Sequence, residues 1–131
     1  MLSKTEQPMM RKARYFKDAE FRRCEPPCSI EDMSQEFLDL LDRVRQEAGI
    51  PIVLNSAYRS PEWDRGKGRS GNGAHTKGLA VDIRCNSDSN RYKILAAAYK
   101  CRVNRIGVYR SWIHLDMGDK KGLTPNVVWY G

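Results

Sequence analysis

The residues best suited to chemistry in this sequence are its two histidines and an aspartate that follows the first of them. His75 stands in a glycine-bounded turn, and the segment 79–84 after it alternates apolar residues with others. A period of two predicts a β-strand with one apolar face. Asp82 falls on the opposite face of this strand. Because a carboxylate is costly to bury unless it is paired or binds a metal, Asp82 is a candidate ligand.

The second histidine lies in a segment of the same kind. His114 is part of 112–117, where two sets of side chains alternate: Ile113, Leu115 and Met117 on one face, and Trp112, His114 and Asp116 on the other. If the two strands share a sheet, both imidazoles and the Asp82 carboxylate converge on one surface. Three such ligands with an open fourth position are typical of a catalytic zinc ion. Zinc lowers the pKa of a bound water toward ~7 and polarises a carbonyl group.

The pattern His75-x-x-Gly78-x-Ala80-x-Asp82, followed by Ile113-His114-x-Asp116, resembles the zinc-dependent murein peptidases. That family includes D-alanyl-D-alanine carboxypeptidases and L-alanyl-D-glutamate endopeptidases, and hedgehog signalling domains are its distant relatives in fold. The resemblance runs from about Tyr15 to Asp116. It implies one zinc ion held by His75, Asp82 and His114, and hydrolysis of an amide bond in peptidoglycan stem peptides by a zinc-activated water.

The segment Ser56-Ala57-Tyr58-Arg59 resembles the serine-x-tyrosine-arginine element of the same family. In that family the arginine binds the substrate or stabilises its developing negative charge. The resemblance therefore implies substrate binding by Ser56, Tyr58 and Arg59 and a catalytic role for Arg59. The chemistry agrees, because a guanidinium is always charged and presents a fork of donors to a carboxylate or an oxyanion.

The resemblance does not identify the residue that acts as the general base. Many relatives carry a glutamate three residues before the last histidine, and this chain has Ser111 there. The best substitute is Asp116, because strand positions i and i+2 lie roughly 7 Å apart on one face. Its carboxylate either acts on the attacking water as a catalytic base or orients the imidazole of His114. Glu62 and Asp64 are weaker candidates.

Two other functions stay open from the residues alone. Ser111 in place of the glutamate also fits a non-catalytic, zinc-containing module of the same fold that binds the cell wall. The pair His114-x-Asp116 also matches the start of the two-histidine, one-carboxylate triad of ferrous oxygenases. Those enzymes place their second histidine downstream, and no histidine follows His114 in this chain.

Length and composition indicate one globular domain. A chain of 131 residues with 40% hydrophobic and 30% charged residues can bury one modest core. We expect a flexible N-terminal arm over 1–14 and a single zinc peptidase domain over 15–131, which acts as a monomer. The net charge of +7 suits an anionic wall polymer. We expect no nucleic-acid partner, because no recognition helix, zinc finger or RNA-binding signature accompanies the charge.

The sequence also bears on where the protein acts. No apolar run approaches the ~20 residues of a membrane span, and the N-terminus lacks the hydrophobic region of a signal peptide. We therefore expect no membrane span and a site of action at the cell wall, in the periplasm or outside the cell. An endolysin-like, phage-encoded protein that is released from the cytoplasm or carried on a virion fits this expectation.

Two helices are predicted. The first covers 34–48, with Ser34 as N-cap, Gly49 closing the C-terminus and one buried apolar stripe. The second lies within 86–100, with Ser87 or Ser89 as cap; its predicted apolar face consists of Tyr92, Leu95, Ala96 and Tyr99. The glycine-rich segment 62–74 between them is predicted to be a mobile loop on the rim of the site.

Strands are predicted at 51–56, 79–84, 104–109, 112–117 and 127–130, with Arg110 and Ser111 as the turn of a hairpin. The expected fold is α+β, of the hedgehog and DD-peptidase kind. A small antiparallel sheet carries helices on its apolar face and the metal on the other. The four cysteines are interpreted as structural, either free or in disulfides, since the paired spacing of a four-thiolate zinc site is missing.

Overall fold

A computed structural model describes residues 10–131 of the chain. Its four helices are α1 (Asp18–Arg22), α2 (Gln35–Ala48), α3 (Pro61–Gly66) and α4 (Asp88–Lys100). Its five strands are β1 (Leu54–Ser56), β2 (Ala80–Arg84), β3 (Arg105–Val108), β4 (Trp112–Asp116) and β5 (Val127–Tyr130). Three short 3-10 turns complete the elements, at Ile30–Asp32, Ala74–Lys77 and Gly118–Lys121. The predicted α+β class is confirmed.

The five strands form one sheet in the order β1-β2-β4-β3-β5. The pairs β1/β2, β2/β4 and β4/β3 are antiparallel, and β3 and β4 form the predicted hairpin. The last strand, β5, runs parallel to β3. The sheet is therefore mixed. After β4 the chain passes through the 3-10 turn at Gly118–Lys121 and returns as the edge strand β5 beside β3.

The register of the two central strands separates an apolar face from a polar one. Val81 lies opposite Leu115 and Ile83 opposite Ile113, whereas Asp82 lies opposite His114. The four apolar side chains are buried in one core cluster that also contains residues of α2 and α4. The polar pair faces away from that core, because successive strand residues point to opposite faces.

Helix α2 has the predicted ends. The Ser34 hydroxyl accepts a hydrogen bond from the backbone N–H of Phe37, which satisfies one of the free donors of the first turn. Gly49 adopts a left-handed conformation with φ of 68° and ends the helix. Buried apolar residues along one face attach α2 to the core; they are Phe37, Leu38, Leu40, Leu41, Val44 and Ala48.

The predicted apolar face of the second helix is wrong except at Leu95, which is partly buried against the core. In α4, which Ser87 caps, the buried residues are Ile94, Ala97 and Ala98, and these also follow helical spacing. Tyr92 and Tyr99 are 75% and 58% exposed. Helix α4 packs against α2, and two of its three buried residues are alanines, which suits a close approach of the two helices. The tyrosines keep their polar ends in water.

The glycine-rich segment 62–74, predicted as a mobile loop, contains most of a short helix and a buried carboxylate. Helix α3 has Ser60 as N-cap and Pro61 in its first turn. Asp64 is only 3% exposed. Its Oδ2 atom accepts a hydrogen bond from the backbone N–H of Gly71 at 3.1 Å, which ties the glycine-rich stretch back to the helix.

The first nine residues of the predicted arm 1–14 lie outside the described residues. Within its remainder, the backbone N–H groups of Arg11 and Arg14 donate to the side chains of Glu31 and Asp42. Among residues 10–131, no helix has the length and apolar character to cross a membrane. The four cysteines are all free thiols; they are Cys24, Cys28, Cys85 and Cys101.

Candidate metal centre

His75 is held by a short turn and by one backbone carbonyl. The turn Ala74–Lys77 ends at Gly78, whose φ is 69° and whose missing side chain leaves room for the carbonyl of Asp32. The Nδ1 atom of His75 lies 2.6 Å from the carbonyl oxygen of Ala57. Since a carbonyl oxygen only accepts, Nδ1 carries the proton and donates it. The lone pair of His75 is therefore on Nε2, which lies 3.4 Å from Oδ1 of Asp82.

The sheet brings the other two residues together directly. Asp82 of β2 and His114 of β4 are opposite partners in the antiparallel ladder, and Nδ1 of His114 lies 3.0 Å from Oδ1 of Asp82. The centroids of the two imidazoles are 5.1 Å apart. The structure thus places His75, Asp82 and His114 in one cluster, whose possible ligand atoms all lie within 4.8 Å of one another.

In each candidate ligand, the side-chain nitrogen or oxygen that faces away from the cluster has a hydrogen-bond partner of its own. Asp82 uses Oδ2 to accept a hydrogen bond from Nη2 of Arg59 at 3.0 Å. His114 has Nε2 at 2.6 Å from Oδ2 of Asp116. Together with the bond from His75 to Ala57, these contacts leave one nitrogen or oxygen on each residue directed toward the others. Zinc takes two imidazoles and a carboxylate in this manner, with supporting groups on their outer atoms, so the residues fit this ion.

Burial and hydrogen bonds shift the pKa values of the cluster in different directions. Burial lowers the pKa of His75, and its contact with Asp82 offsets this effect only in part. Burial opposes the charged form of His114 as well, but hydrogen bonds to Asp116 and Asp82 outweigh it and raise the pKa of His114. Burial alone would raise the pKa of Asp82, yet hydrogen bonds with His114 and His75 hold it well below the usual range.

Asp116 is fully engaged at both carboxylate oxygens. Its Oδ2 atom contacts His114, and its Oδ1 atom accepts hydrogen bonds from Nε of Arg105 and from the backbone N–H of Gly118, both at 2.7 Å. The residue is 2% exposed. Asp116 binds Nε2 of His114, whereas Asp82 binds Nδ1. The two carboxylates therefore lie at different edges of one imidazole ring.

Ser56 is the last residue of β1, Arg59 reaches the cluster three residues later, and Tyr58 between them packs against the hydrophobic core. Nε of Arg59 donates to the hydroxyl of Ser56 at 3.1 Å, and Nη2 donates to Asp82. Ser56 is buried and Tyr58 half-buried. The Arg59 guanidinium carbon is 5.7 Å from the centre of the Trp63 ring. Among the hydrogen bonds of residues 10–131, Nη1 of Arg59 has no partner, so this N–H group remains available for a ligand.

None of the other positions considered for the base is part of the cluster. Ser111 is exposed in the β3–β4 turn, where its carbonyl accepts from the backbone of Cys85. Glu62 is exposed on α3. Asp64 is buried against Gly71. Serine cannot serve as the carboxylate base that many relatives have at position 111.

Three neighbours of the cluster were missing from the sequence prediction. Ala57 acts through its carbonyl oxygen, and Arg105 reaches Asp116 from the adjacent strand β3. Trp129 of β5 has its ring centre 5.3 Å from that of His114. One sequence signal points to Trp129, namely Gly107 in the middle of a predicted strand, because an interior glycine often marks a close approach. A backbone carbonyl leaves no comparable signal.

The fold and this cluster define a small α+β protein with a candidate three-ligand metal centre on the polar face of its sheet. The family described as Peptidase M15 matches residues 11–116 of the 131, and the chain belongs to that family. The match includes the whole cluster and ends at Asp116, before β5. Family membership makes the protein a peptidase of the metallopeptidase class. No curated protein matches the chain significantly.

Proposed function

We propose that this protein is a zinc peptidase that hydrolyses an amide bond in peptidoglycan stem peptides, of the D-alanyl-D-alanine carboxypeptidase or L-alanyl-D-glutamate endopeptidase type. The observation that carries the proposal is the set of His75, Asp82 and His114, whose possible ligand atoms lie within 4.8 Å of one another. When bound, zinc acidifies a water and polarises the scissile carbonyl. The remaining tasks belong to the side chains around these ligands.

Ligand orientation is the first of these tasks. The Ala57 carbonyl keeps the proton of His75 on Nδ1 and so directs Nε2 toward the metal position. Arg59 holds the outer oxygen of Asp82. Asp116 has two possible roles, as the catalytic base or as the group that orients the imidazole of His114, and we assign it the orienting role. Both of its oxygens are occupied and its contact is with the outer nitrogen of His114, so it acts on the reaction through that ring.

Substrate binding is the second task. Arg59 has its Nη1 atom available beside Asp82, and its charge persists at all working pH values. A substrate carboxylate, or the oxygen that gains negative charge during hydrolysis, would bind there. Ser56 holds Arg59 in place through Nε. The net charge of +7 favours approach to an anionic wall, where we propose that the protein acts.

A non-catalytic cell-wall-binding module of the same fold is the second candidate. The observation that favours it is Ser111, which is exposed and has no carboxylate where many relatives carry their base. Such a module would keep the metal and bind murein peptides without turnover. Cleavage of any stem-peptide bond separates the two functions.

The test is digestion of purified peptidoglycan by the zinc-loaded protein, followed by mass spectrometry of the released peptides. We expect one new pair of peptide ends, and their masses identify the bond that is cut. His75→Ala and Asp82→Ala should abolish release, whereas Tyr92→Ala, at an exposed position on α4, should not. Binding of murein without release by the wild-type protein would favour the binding module. Release by the Asp82→Ala protein would contradict the proposed metal centre.

A further inference from the structure

We infer that Trp129 and Tyr109 form a substrate-binding subsite beside the metal centre, which takes the C–H face of the murein substrate next to the scissile bond. This inference rests on the proposed function and deepens it. It concerns β5, which follows the residues that match the family. The chemical class of the ligand is an apolar face, either a sugar ring of the glycan or an alanyl methyl group of the stem peptide.

The Trp129 ring lies across Gly107. Gly107 of β3 is the register partner of both His114 on β4 and Trp129 on β5. A side chain at position 107 would have its Cβ atom 2.7 Å from Cε2 and Nε1 of Trp129, closer than carbon atoms approach in proteins. The missing side chain thus lets an aromatic ring from the edge strand reach over β3 to within 5.3 Å of the His114 ring centre. The ring is only half-buried in this position.

Tyr109 is hydrogen-bonded to this ring, and its hydroxyl proton can still donate to a ligand. Nε1 of Trp129 donates a hydrogen bond to the Tyr109 hydroxyl at 2.8 Å. The Tyr109 ring stacks on Trp112 with centroids 4.4 Å apart and planes 9° from parallel. Since the hydroxyl oxygen accepts from Trp129, its own O–H remains able to donate. The pair therefore offers an aromatic face and a hydrogen-bond donor, a combination that binds a ligand with an apolar side and a polar substituent.

The candidate metal centre lies between the Trp129 side and the Arg59 side of the sheet. In the sheet, β3 and then β5 lie on one side of His114 of β4, whereas β1, which leads to Arg59, lies next to Asp82 of β2 on the other side. On the Arg59 side, the Nζ atom of Lys67 lies 5.3 Å from the centre of the Trp63 ring. The Trp129 side also has a cation, because the guanidinium carbon of Arg105 lies 5.4 Å from the centre of the Trp129 ring, but Arg105 is already hydrogen-bonded to Asp116 and to the carbonyl oxygen of Thr124. The carboxylates of a murein stem peptide therefore suit the Arg59 side, and its methyl groups or the sugar to which it is joined suit the Trp129 side.

The experiment measures binding of two probes to the metal-free protein, where no cleavage interferes. One probe is a stem peptide joined to its disaccharide, and the other is the same peptide without sugar. The variants are Trp129→Leu, which keeps apolar bulk over Gly107, Trp129→Phe, which keeps an aromatic face, and Tyr109→Phe. Tyr130→Leu is the matched control, because Tyr130 is the next residue of β5, 86% exposed and on the opposite face. Zinc affinity is measured in parallel for each variant.

We expect Trp129→Leu to raise the dissociation constant of a probe by roughly five- to tenfold, with Trp129→Phe recovering part of the loss and Tyr130→Leu leaving it unchanged. Zinc affinity should stay at the wild-type value. A loss confined to the disaccharide-linked probe identifies the sugar as the ligand, and an equal loss for both probes identifies the alanyl methyl group.

Two results would overturn the subsite. One is unchanged binding of both probes to Trp129→Leu; the other is a fall in zinc affinity alone, which would mean that Trp129 only supports His114. Failure of the peptidase proposal has a separate signature. In that case the zinc-loaded wild-type protein leaves both probes intact while Trp129→Leu still weakens their binding.

Discussion

The Nε2 atom of His114 lies 2.6 Å from Oδ2 of Asp116, while Nδ1 of the same ring lies 3.0 Å from Oδ1 of Asp82. The imidazole is thus held between two carboxylates, one at each ring nitrogen. A proton retained on Nε2 by Asp116 leaves Nδ1 able to bind a metal next to Asp82. Arg105 and the backbone of Gly118 fix Asp116 in turn, so the orientation of His114 depends on groups outside the cluster of candidate ligands.

Replacement of Asp116 by Asn tests whether this residue orients the ring or acts as the base. An amide keeps the size of the side chain but removes the charge that His114 and Arg105 contact. We expect zinc affinity to fall roughly 10- to 100-fold, the usual effect of removing a group that orients a metal ligand. Competition with a fluorescent chelator measures this affinity directly.

The control for Asp116→Asn is Asp88→Asn, a carboxylate at the start of α4 that pairs only with Arg91 among the ion pairs of residues 10–131. It should leave zinc affinity unchanged. If Asp116→Asn instead retains full zinc affinity and loses only turnover, Asp116 is the catalytic base and not an orienting residue.

Metal removal should abolish activity, and the identity of the restoring ion distinguishes the hydrolase from an oxygenase. We expect a chelator to stop cleavage and one equivalent of zinc per chain to restore it, because the three candidate ligands form one cluster. Elemental analysis of the purified protein should then find zinc. Iron in place of zinc, together with oxygen consumption, would favour the oxygenase, whose ligands are of the same types.

The free energy of unfolding of the metal-free protein should be greatest near pH 6.5. The carboxylate partners of His114 raise its pKa, so His114 stabilises the fold when it is protonated. Its contribution to the free energy of unfolding is complete below its pKa in the unfolded chain, about 6.5, and is lost as the pH rises through its pKa in the folded protein. The pKa of His75 is lowered by burial, so the unfolded chain gains a proton first and stability falls as the pH drops below about 6.5. Asp82, with its lowered pKa, adds a further loss below about pH 4.

Urea unfolding at a series of pH values in the presence of a chelator measures this profile. His114→Gln should remove the decline on the alkaline side, because the titrating group is gone. An alkaline decline of the same size in that variant would show that another group causes it. Zinc should flatten the alkaline decline in the wild-type protein, since the bound ion takes the place of the proton on the ring.

The parts of the fold that follow from local periodicity were predictable. Alternation in 79–84 and 112–117 identified the two central strands, and the register then made Asp82 and His114 direct partners. The caps of α2 were equally predictable, since serine is a favoured N-cap and glycine a favoured residue at the end of a helix. For the face of α4, periodicity was insufficient because two different sets of residues satisfy it, and contact with α2 decided between them.

The surroundings of the cluster depend on tertiary pairing that local patterns do not encode. The parallel pairing of β5 with β3 is the main example, because it alone brings Trp129 next to His114. The bonds of Asp116 are another. The sequence showed a carboxylate two residues after a histidine, but only the position of Arg105 on the neighbouring strand accounts for the second oxygen.

Replacement of Gly107 by Ala should lower stability through one specific contact. The added Cβ atom would lie 2.7 Å from the Trp129 ring, so the ring must leave its place beside His114. Overpacking of this kind costs about 1–3 kcal/mol of the free energy of unfolding. Gly66→Ala is the matched control: it has open space around its Cα and an ordinary φ, and we expect no loss there. The double variant Gly107→Ala, Trp129→Leu should be no less stable than Trp129→Leu alone, because the rigid ring that the new Cβ atom would meet is absent. If Gly107→Ala costs the same stability in both backgrounds, the strain does not come from contact with Trp129.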